Sequence, residues 1–128
     1  MSNIVLYILM RTDMESLTPG KACAQAAHAA NQMALDMVDS AEGYSWLEKW
    51  RGIGAYGTTV ILRGGGYESV TSFQDLAKKN GVFSGSVIDR SYPIKDGTFV
   101  HHVPVLTCIY ILGQKDNVWS IVRRLPLY

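Results

Sequence analysis

The fold is decided near the start of the chain by a strand and the helix that follows it. The strand is Ile4 to Met10, with the sequence IVLYILM, apolar throughout and rich in residues that favour β-structure. A run of this kind predicts a central strand that is buried on both faces of a sheet. The helix opens at Thr18-Pro19, a capping residue followed by proline at the first helical position. Its alanine-rich sequence continues to about Val38, with no proline or glycine after Gly20.

Apolar strands and helical patterns alternate along the rest of the chain. Strands are predicted at Thr58 to Leu62, Ser84 to Asp89 and Val105 to Leu112. Helices are predicted at Tyr44 to Trp50, Val70 to Ala77 and Lys115 to Leu125, and loops at Gly52 to Gly57 and Arg90 to Thr98. The main elements follow the order β-α-β-α-β-β-α. This order predicts an α/β fold, a three-layer α/β/α sandwich with a mixed, mostly parallel four-stranded sheet.

Length and composition bound the class of protein. A chain of 128 residues, 48% of them hydrophobic, fits one domain over residues 1–128 with a core of its own. The sequence has no run long enough to cross a membrane and no signal-peptide pattern, so we expect a cytoplasmic protein. Cys23 and Cys108 are predicted to be buried free thiols. Because the net charge is only +1, any binding of RNA must come from a local patch of cations.

A polar row on the first helix is the strongest functional candidate. Lys21, Gln25, His28 and Gln32 are spaced by four, three and four residues, which places them on one helical face. The ordinary alternative is the solvated side of an amphipathic helix. A solvated side usually carries many charges, whereas this helix has only Lys21 and Asp36. The composition therefore favours a functional role for Lys21 and Gln25, and it leaves both interpretations open for His28.

The position of this helix adds to the argument. A helix that follows the first strand begins at the carboxyl edge of that strand, where open α/β sheets bind ligands. Its free N–H groups and the positive end of its dipole favour an anion. A lysine in the first turn is unfavourable next to that positive end, so the position of Lys21 makes sense if the lysine and the helix start bind one anion together. Asp89, at the end of the third strand, and Thr107, on a strand running the other way, are expected at the same edge. The structural alternative for Asp89 is a carboxylate that caps a loop.

Other motifs point to ordinary structure. Arg63-Gly64-Gly65-Gly66 lacks the phosphate-binding pattern of a P-loop and is interpreted as a flexible turn. His101 and His102 point to opposite faces if extended, and neither has a carboxylate or cysteine at ligand spacing, so we predict no metal site. The chain has no G-x-S-x-G nucleophile elbow. The sequence predicts no cofactor.

A family resemblance emerges from the residues around the polar row. Arg11-Thr12-Asp13 and the stretch PGKACAQAAHAA at Pro19 to Ala30 resemble the signature of the type II peptidyl-tRNA hydrolases. That signature joins an R-x-D strand end to G-K-x-x-A-Q-x-x-H-A on the first helix. The resemblance covers nearly the whole chain in order, although only the helix motif is specific. After Asp89 the family's usual A-G-R-T-Q is replaced by Arg90-Ser91-Tyr92-Pro93, and the loop from Ile94 to Pro104 is longer than usual.

The resemblance implies a mixed four-stranded sheet, a homodimer, and hydrolysis of the ester that links a peptide to tRNA. The catalytic residues that it implies are Lys21, Gln25, Asp89 and Thr107, with His28 as a further member of the motif. We expect Lys21 and the first-turn N–H groups to stabilise an oxyanion or a tRNA phosphate, and Asp89 to activate water, without metal or covalent intermediate. The residues expected to bind the RNA backbone are Lys78, Lys79, Arg90 and Lys95.

Two other functions remain open at this point. The first is a tRNA-binding or interaction module that keeps the fold without hydrolysis, as the altered stretch after Asp89 allows. The second is a domain that binds a small phosphorylated ligand at the same edge, which the weak basic balance favours over RNA.

Overall fold

The computed structural model describes residues 3–52 and 55–128, so residues 53 and 54 of the predicted Gly52–Gly57 loop lie outside the described residues. The strands are β1 (Ile4–Arg11), β2 (Thr58–Gly65), β3 (Phe83–Asp96) and β4 (Phe99–Gln114). The helices are α1 (Pro19–Met37), α2 (Ala41–Arg51), α3 (Tyr67–Lys79) and α4 (Lys115–Val122). The strands form a four-stranded sheet in the order β2-β1-β4-β3.

Strand directions correct one part of the predicted architecture. β1 runs parallel to β2, whereas β4 is antiparallel to both β1 and β3. The α/β class and the mixed four-stranded sheet are confirmed, but the expectation of a mostly parallel sheet is wrong, and the three-layer sandwich stays a prediction. A short hairpin makes β3 and β4 antiparallel, and β4 then lies between β1 and β3. This central position suits β4, since Thr107 to Gly113 are all buried.

The core lies on both faces of the sheet. Alternate residues of β1 from Ile4 to Met10 belong to a cluster with Met33 of α1, and those from Val5 to Leu9 belong to a second cluster with Val70 of α3. Successive side chains of a strand point to opposite faces, so one apolar strand supplies both clusters. This packing fixes α1 against the face of the sheet that also carries the candidate site.

The hairpin of β3 and β4 is longer than predicted. Pairing between the two strands continues from Tyr92 opposite Val103 to Asp96 opposite Phe99. The predicted loops at Arg90 to Thr98 and Ile94 to Pro104 are therefore wrong, because most of these residues are strand.

The outer part of this hairpin projects beyond the central strand. Pairing of β1 with β4 stops at Met10 opposite Cys108. Within the part of the chain that the structure describes, the β4 residues before that point pair only with β3. Gly97 opens the two-residue turn with a φ of 62°, as the first position of a type II′ turn requires. We call Tyr92–Asp96 together with Phe99–Val103 the hairpin arm.

Two further features differ from the predicted elements. The predicted helical piece at Tyr44 to Trp50 is part of a longer helix, α2, which the hydroxyl of Ser40 caps by accepting a hydrogen bond from the Gly43 N–H at 2.9 Å. The end of the chain forms a bridge from Leu127 to Leu62 and so covers part of the outer edge of β2. Within residues 3–52 and 55–128, no helix combines the length and apolar character needed to cross a membrane.

Candidate active site

Three of the predicted site residues form a continuous chain of hydrogen bonds. The Thr107 hydroxyl donates to Gln25 Oε1 at 2.7 Å, and Gln25 Nε2 donates to Asp89 Oδ2 at 2.7 Å. Because a carboxylate only accepts, the amide nitrogen of Gln25 must face Asp89 and its oxygen must face Thr107. Thr107 is fully buried and Gln25 is 4% exposed, so the first link of the chain is shielded from water.

Asp89 is held by a second contact at an irregularity in β3. Its Oδ1 accepts a hydrogen bond from the backbone N–H of Ser91 at 3.0 Å, and the register with β4 shifts between Asp89 and Tyr92. Such irregularities redirect side chains at the ends of strands. An ionised carboxylate has about four acceptor positions, so Asp89, which is half-buried, keeps capacity for a water molecule.

The packing of α1 explains why Gln25 faces inward. The helix buries Ala22, Gln25, Ala29 and Met33, which recur at helical spacing on the side facing the sheet. Small alanines next to Gln25 allow close approach, and the thiol of Cys108 lies 3.7 Å from the Gln25 carbonyl oxygen. The alternative of a solvated face is therefore wrong for Gln25.

Lys21 lies beside this hydrogen-bonded chain, at the start of α1. It is exposed, and its ammonium lies 5.6 Å from the centroid of the Tyr92 ring, within the range of a cation–π contact. Among the residues that the structure describes, no carboxylate forms a salt bridge with Lys21. The N-cap Thr18 makes no side-chain capping bond. A cation and uncapped N–H groups are thus placed together at the helix start.

Pockets surround Asp89 on the side of α1. One of about 180 Å³ is lined by Lys21, Ala24, Gln25, His28, Asp89, Tyr92 and Pro93. A second, of about 270 Å³, is lined by His28, Asn31, Gln32, Val87, Ile88, Asp89 and Arg90. His28 is exposed and lines both pockets, so it borders the hydrogen-bonded chain without belonging to it.

The R-x-D part of the motif fixes the neighbouring strand ends. Arg11 donates two hydrogen bonds to the Asp13 carboxylate, at 3.0 and 2.9 Å, and a third to the Leu106 carbonyl oxygen at 3.0 Å. The bond from the guanidinium lowers the pKa of Asp13 below its ordinary value. Since Leu106 precedes Thr107 in β4, this contact anchors the backbone beside Thr107, whose hydroxyl is the first donor in the chain of hydrogen bonds.

The four predicted RNA-binding cations do not lie together. Arg90 borders the 270 Å³ pocket, and Lys95 lies on the hairpin arm. Lys78 and Lys79 lie in the last turn of α3. This helix begins after the carboxyl end of β2 and runs back to the start of β3, so its last turn lies at the opposite end of the strands from Asp89. At about 3.3 Å per strand residue, β3 extends roughly 20 Å from its start at Phe83 to Arg90, and Lys95 lies farther along the same strand.

The two cysteines are free thiols in different surroundings. Cys108 is buried as predicted, and burial raises its pKa to about 12. Cys23 is exposed on α1, so its predicted burial is wrong. Within the described ranges, 3–52 and 55–128, no group of three or more His, Cys, Asp or Glu side chains is placed to hold a metal ion.

The sequence did not predict how Tyr92 and Ser16 would support the site. The Tyr92 hydroxyl lies 2.8 Å from the Ser16 hydroxyl, and its ring, which is 1% exposed, lies under the Lys21 ammonium. Tyr92 stands in the stretch that departs from the family pattern, so the motif gave no indication of this role. A tyrosine beside a proline in a polar segment carried no other signal.

Comparisons with known proteins agree with this geometry. The family model described as peptidyl-tRNA hydrolase PTH2 matches residues 4–128, which include every residue of the hydrogen-bonded chain. The chain is also similar to a protein of Metallosphaera sedula named peptidyl-tRNA hydrolase. The two are 30% identical over 124 residues, a match that covers 95% of this chain and 97% of the relative.

Proposed function

This chain belongs to the peptidyl-tRNA hydrolase PTH2 family, and from that membership we propose that it hydrolyses the ester bond between peptide and tRNA. The observation that carries the proposed site is the chain of hydrogen bonds from Thr107 through Gln25 to Asp89, beside the ammonium of Lys21. It provides a fixed carboxylate that can activate water and an adjacent cation that can stabilise the oxyanion of ester hydrolysis.

Asp89 acts as the base in the proposed reaction. It takes a proton from a water molecule whose oxygen forms a bond to the ester carbonyl carbon. The tetrahedral intermediate then breaks its bond to the ribose oxygen, which takes the proton that Asp89 removed from water and leaves as the hydroxyl of tRNA. The peptide leaves as a carboxylic acid, and Asp89 is again ionised. Gln25 and Thr107 are positioning residues, because Gln25 donates a hydrogen bond to the carboxylate and Thr107 donates one that orients the Gln25 amide.

Lys21 and the first-turn N–H groups of α1 stabilise the oxyanion that forms on the carbonyl. Preorganised donors of this kind are usually the largest catalytic contribution in acyl transfer. The cation has no competing carboxylate partner among the described residues, which leaves it free for this role. The reaction then needs neither metal nor covalent intermediate, and we propose that the enzyme works without either.

The polar pocket with His28 and Arg90 receives the RNA side of the substrate. Its amides, imidazole and guanidinium suit ribose hydroxyls and a phosphate. Lys78 and Lys79, at the opposite end of the strands, would contact the tRNA backbone farther from the ester. Replacing both with alanine should weaken tRNA binding and lower its salt dependence, with little effect on single-turnover hydrolysis at saturating enzyme.

We also propose a cytoplasmic homodimer. The dimer is what the family resemblance implies. Sedimentation of the purified chain over a range of concentrations tests this, and a monomer at all concentrations would contradict it.

The test of the proposed function is release of the N-acetyl-amino acid from an N-acetyl-aminoacyl-tRNA, a simple analogue of peptidyl-tRNA, by protein kept in a chelator. We expect turnover by the wild type, and a fall in kcat of about 10²–10³-fold for Lys21→Ala. Lys115→Ala is the matched control, because this exposed lysine starts α4 after the far end of β4. Tight tRNA binding without turnover would support the binding module instead, and competition by free nucleotides would support the phosphorylated-ligand domain.

A further inference from the structure

A larger pocket joins the proposed reaction site on the side opposite the polar one. It has a volume of about 640 Å³ and is lined by Glu15, Ser16, Thr18, Lys21, Pro93, Ile94, Lys95 and Val100. Lys21 lines this pocket and the 180 Å³ pocket that holds Asp89, so the two are adjacent. We propose that this pocket binds the side chain of the amino acid esterified to the tRNA and favours apolar ones, an inference that rests on the proposed site.

The sizes of the pockets support this assignment. Ligand sites usually have volumes of about 300–1,000 Å³, and the pockets around Asp89 measure only about 180 and 270 Å³. The ester itself and the attacking water fit a small space, whereas an amino-acid side chain with the start of a peptide needs more. The 640 Å³ pocket supplies that room next to Lys21.

Chemistry separates the two sides of the reaction site. The pocket with Arg90 and His28 presents charged and hydrogen-bonding groups, as a ribose and phosphate require. The larger pocket is lined by Pro93, Ile94 and Val100 together with one carboxylate, two hydroxyls and two lysines. Most of its accessible wall is still apolar, and the lysine side chains add aliphatic stems below their charged ends. The ester joins a polar RNA end to an acyl group, so the apolar side is the one that suits the acyl group.

The walls of the apolar pocket belong to fixed elements. Lys95 pairs with Val100 across the hairpin arm, and the hydroxyls of Tyr92 and Ser16 lie 2.8 Å apart, which ties the arm to the segment before α1. Ile94 and Val100 are nevertheless 42% and 51% exposed. Apolar side chains held open beside a reaction site gain burial when an apolar acyl group enters.

The experiment compares two acyl groups on one tRNA body. N-acetyl-leucyl and N-acetyl-glycyl esters of the same tRNA differ only in the side chain that the pocket would receive. We expect wild-type kcat/KM to favour the leucyl ester by about tenfold, the low end for a hydrophobic subsite, because this one is partly open. Val100→Ser should reduce that ratio to about threefold or less, with most of the loss on the leucyl ester.

Phe99→Ser is the matched control for this measurement. Phe99 neighbours Val100 on the arm and is 71% exposed, but it is not among the residues that line the pocket. Its substitution should leave the leucyl-to-glycyl ratio unchanged, and thermal unfolding of both variants checks that the fold is intact. Ile94→Ser provides a second test of the pocket and should lower the ratio in the same direction.

Three results would overturn the inference. The first is an equal kcat/KM for both esters in the wild type. The second is a leucyl-to-glycyl ratio that stays unchanged in Val100→Ser and Ile94→Ser. The third is an equal loss of kcat/KM on both esters in these variants, together with weaker binding of deacylated tRNA. The last would mean that the pocket holds the RNA end. A different result would show that the proposed catalytic site is wrong. Lys21→Ala would then keep full activity, whatever the leucyl-to-glycyl ratio of kcat/KM.

Discussion

Gln25 links the buried hydroxyl to the carboxylate, so its replacement by methionine is the most informative perturbation. Methionine keeps a similar volume on the buried face of α1 but removes the amide. The Thr107 hydroxyl then loses its acceptor in a fully buried position, and Asp89 loses the donor that holds Oδ2 at 2.7 Å. Stability and activity should both fall, for different reasons.

The stability loss follows from the burial of each group. A buried hydroxyl left without its partner costs about 1–3 kcal/mol. Asp89 adds little, because it is half-buried and water can replace the lost donor. For a domain of this size the sum lowers Tm by roughly 3–12 °C. The catalytic loss is separate, since a carboxylate misplaced by about 1 Å lowers kcat by roughly 10²-fold.

The double variant Gln25→Met/Thr107→Val separates these two effects. Removing both partners of a buried hydrogen bond is nearly neutral when the shapes are kept, so the double variant should recover at least half of the lost Tm. Its kcat should stay low, because Asp89 Oδ2 still lacks its donor and only the Ser91 N–H holds the carboxylate. Thermal unfolding and single-turnover hydrolysis are measured on the same preparations. Recovery of kcat together with Tm, or a kcat within about twofold of wild type in Gln25→Met, would refute the positioning role.

Three further outcomes follow from the packing. Iodoacetamide at pH 8 should label Cys23 and leave Cys108 unreacted until the protein unfolds, because burial raises the pKa of Cys108 to about 12; two labels on the folded chain, counted by mass spectrometry, would contradict this. Burial also raises the pKa of Tyr110. Both groups stay neutral in the folded state while they ionise in the unfolded one, so Tm should fall as the pH rises above the ordinary thiol value of 9.0, and a flat Tm there would argue against it. Gly85→Ala should lower the free energy of unfolding by about 1–3 kcal/mol, because the added Cβ would overlap the buried Tyr110 ring. Gly20→Ala has open space around the added Cβ and should be close to neutral in denaturant titrations.

Local chemistry explains which elements the sequence predicted well. The apolar composition of β1 predicts a buried strand, and the Thr18-Pro19 pair predicts the start of α1. Asn80-Gly81 likewise marks the end of α3, with Asn80 at the C-cap and Gly81 at a φ of 72°. Such signals depend on a few neighbouring residues, so they survive without knowledge of the tertiary fold.

The hairpin arm shows what could not be predicted. Pro93 and its polar neighbours read as a loop, yet on an outer strand a proline can be accommodated because an edge position does not require its missing N–H. A strand can contain Pro93 only because β3 lies at the edge of the sheet, and the order of the strands cannot be inferred from the sequence alone. The mostly parallel sheet was wrong for a related reason, since the insertion of β4 beside β1 is a long-range pairing.

The candidate site divides in the same way. Lys21, Gln25 and Asp89 were predicted from helix spacing, strand ends and the family motif. Tyr92, which the motif does not contain, depends on a contact with Ser16 that only the folded chain reveals. The apolar pocket beside Lys21 was missed because the arm that forms its wall was interpreted as a loop.

The most direct test of the proposed mechanism is single-turnover hydrolysis of N-acetyl-aminoacyl-tRNA by Asp89→Asn at saturating enzyme. Asparagine keeps the shape of the side chain but cannot accept the proton of the attacking water. We expect tRNA binding close to wild type and a small fall in Tm, because the asparagine amide nitrogen cannot accept one of the bonds now donated by Gln25 and Ser91. The rate of hydrolysis should be lower by about 10²–10⁴-fold. A rate within about twofold of the wild type would show that Asp89 is not the base.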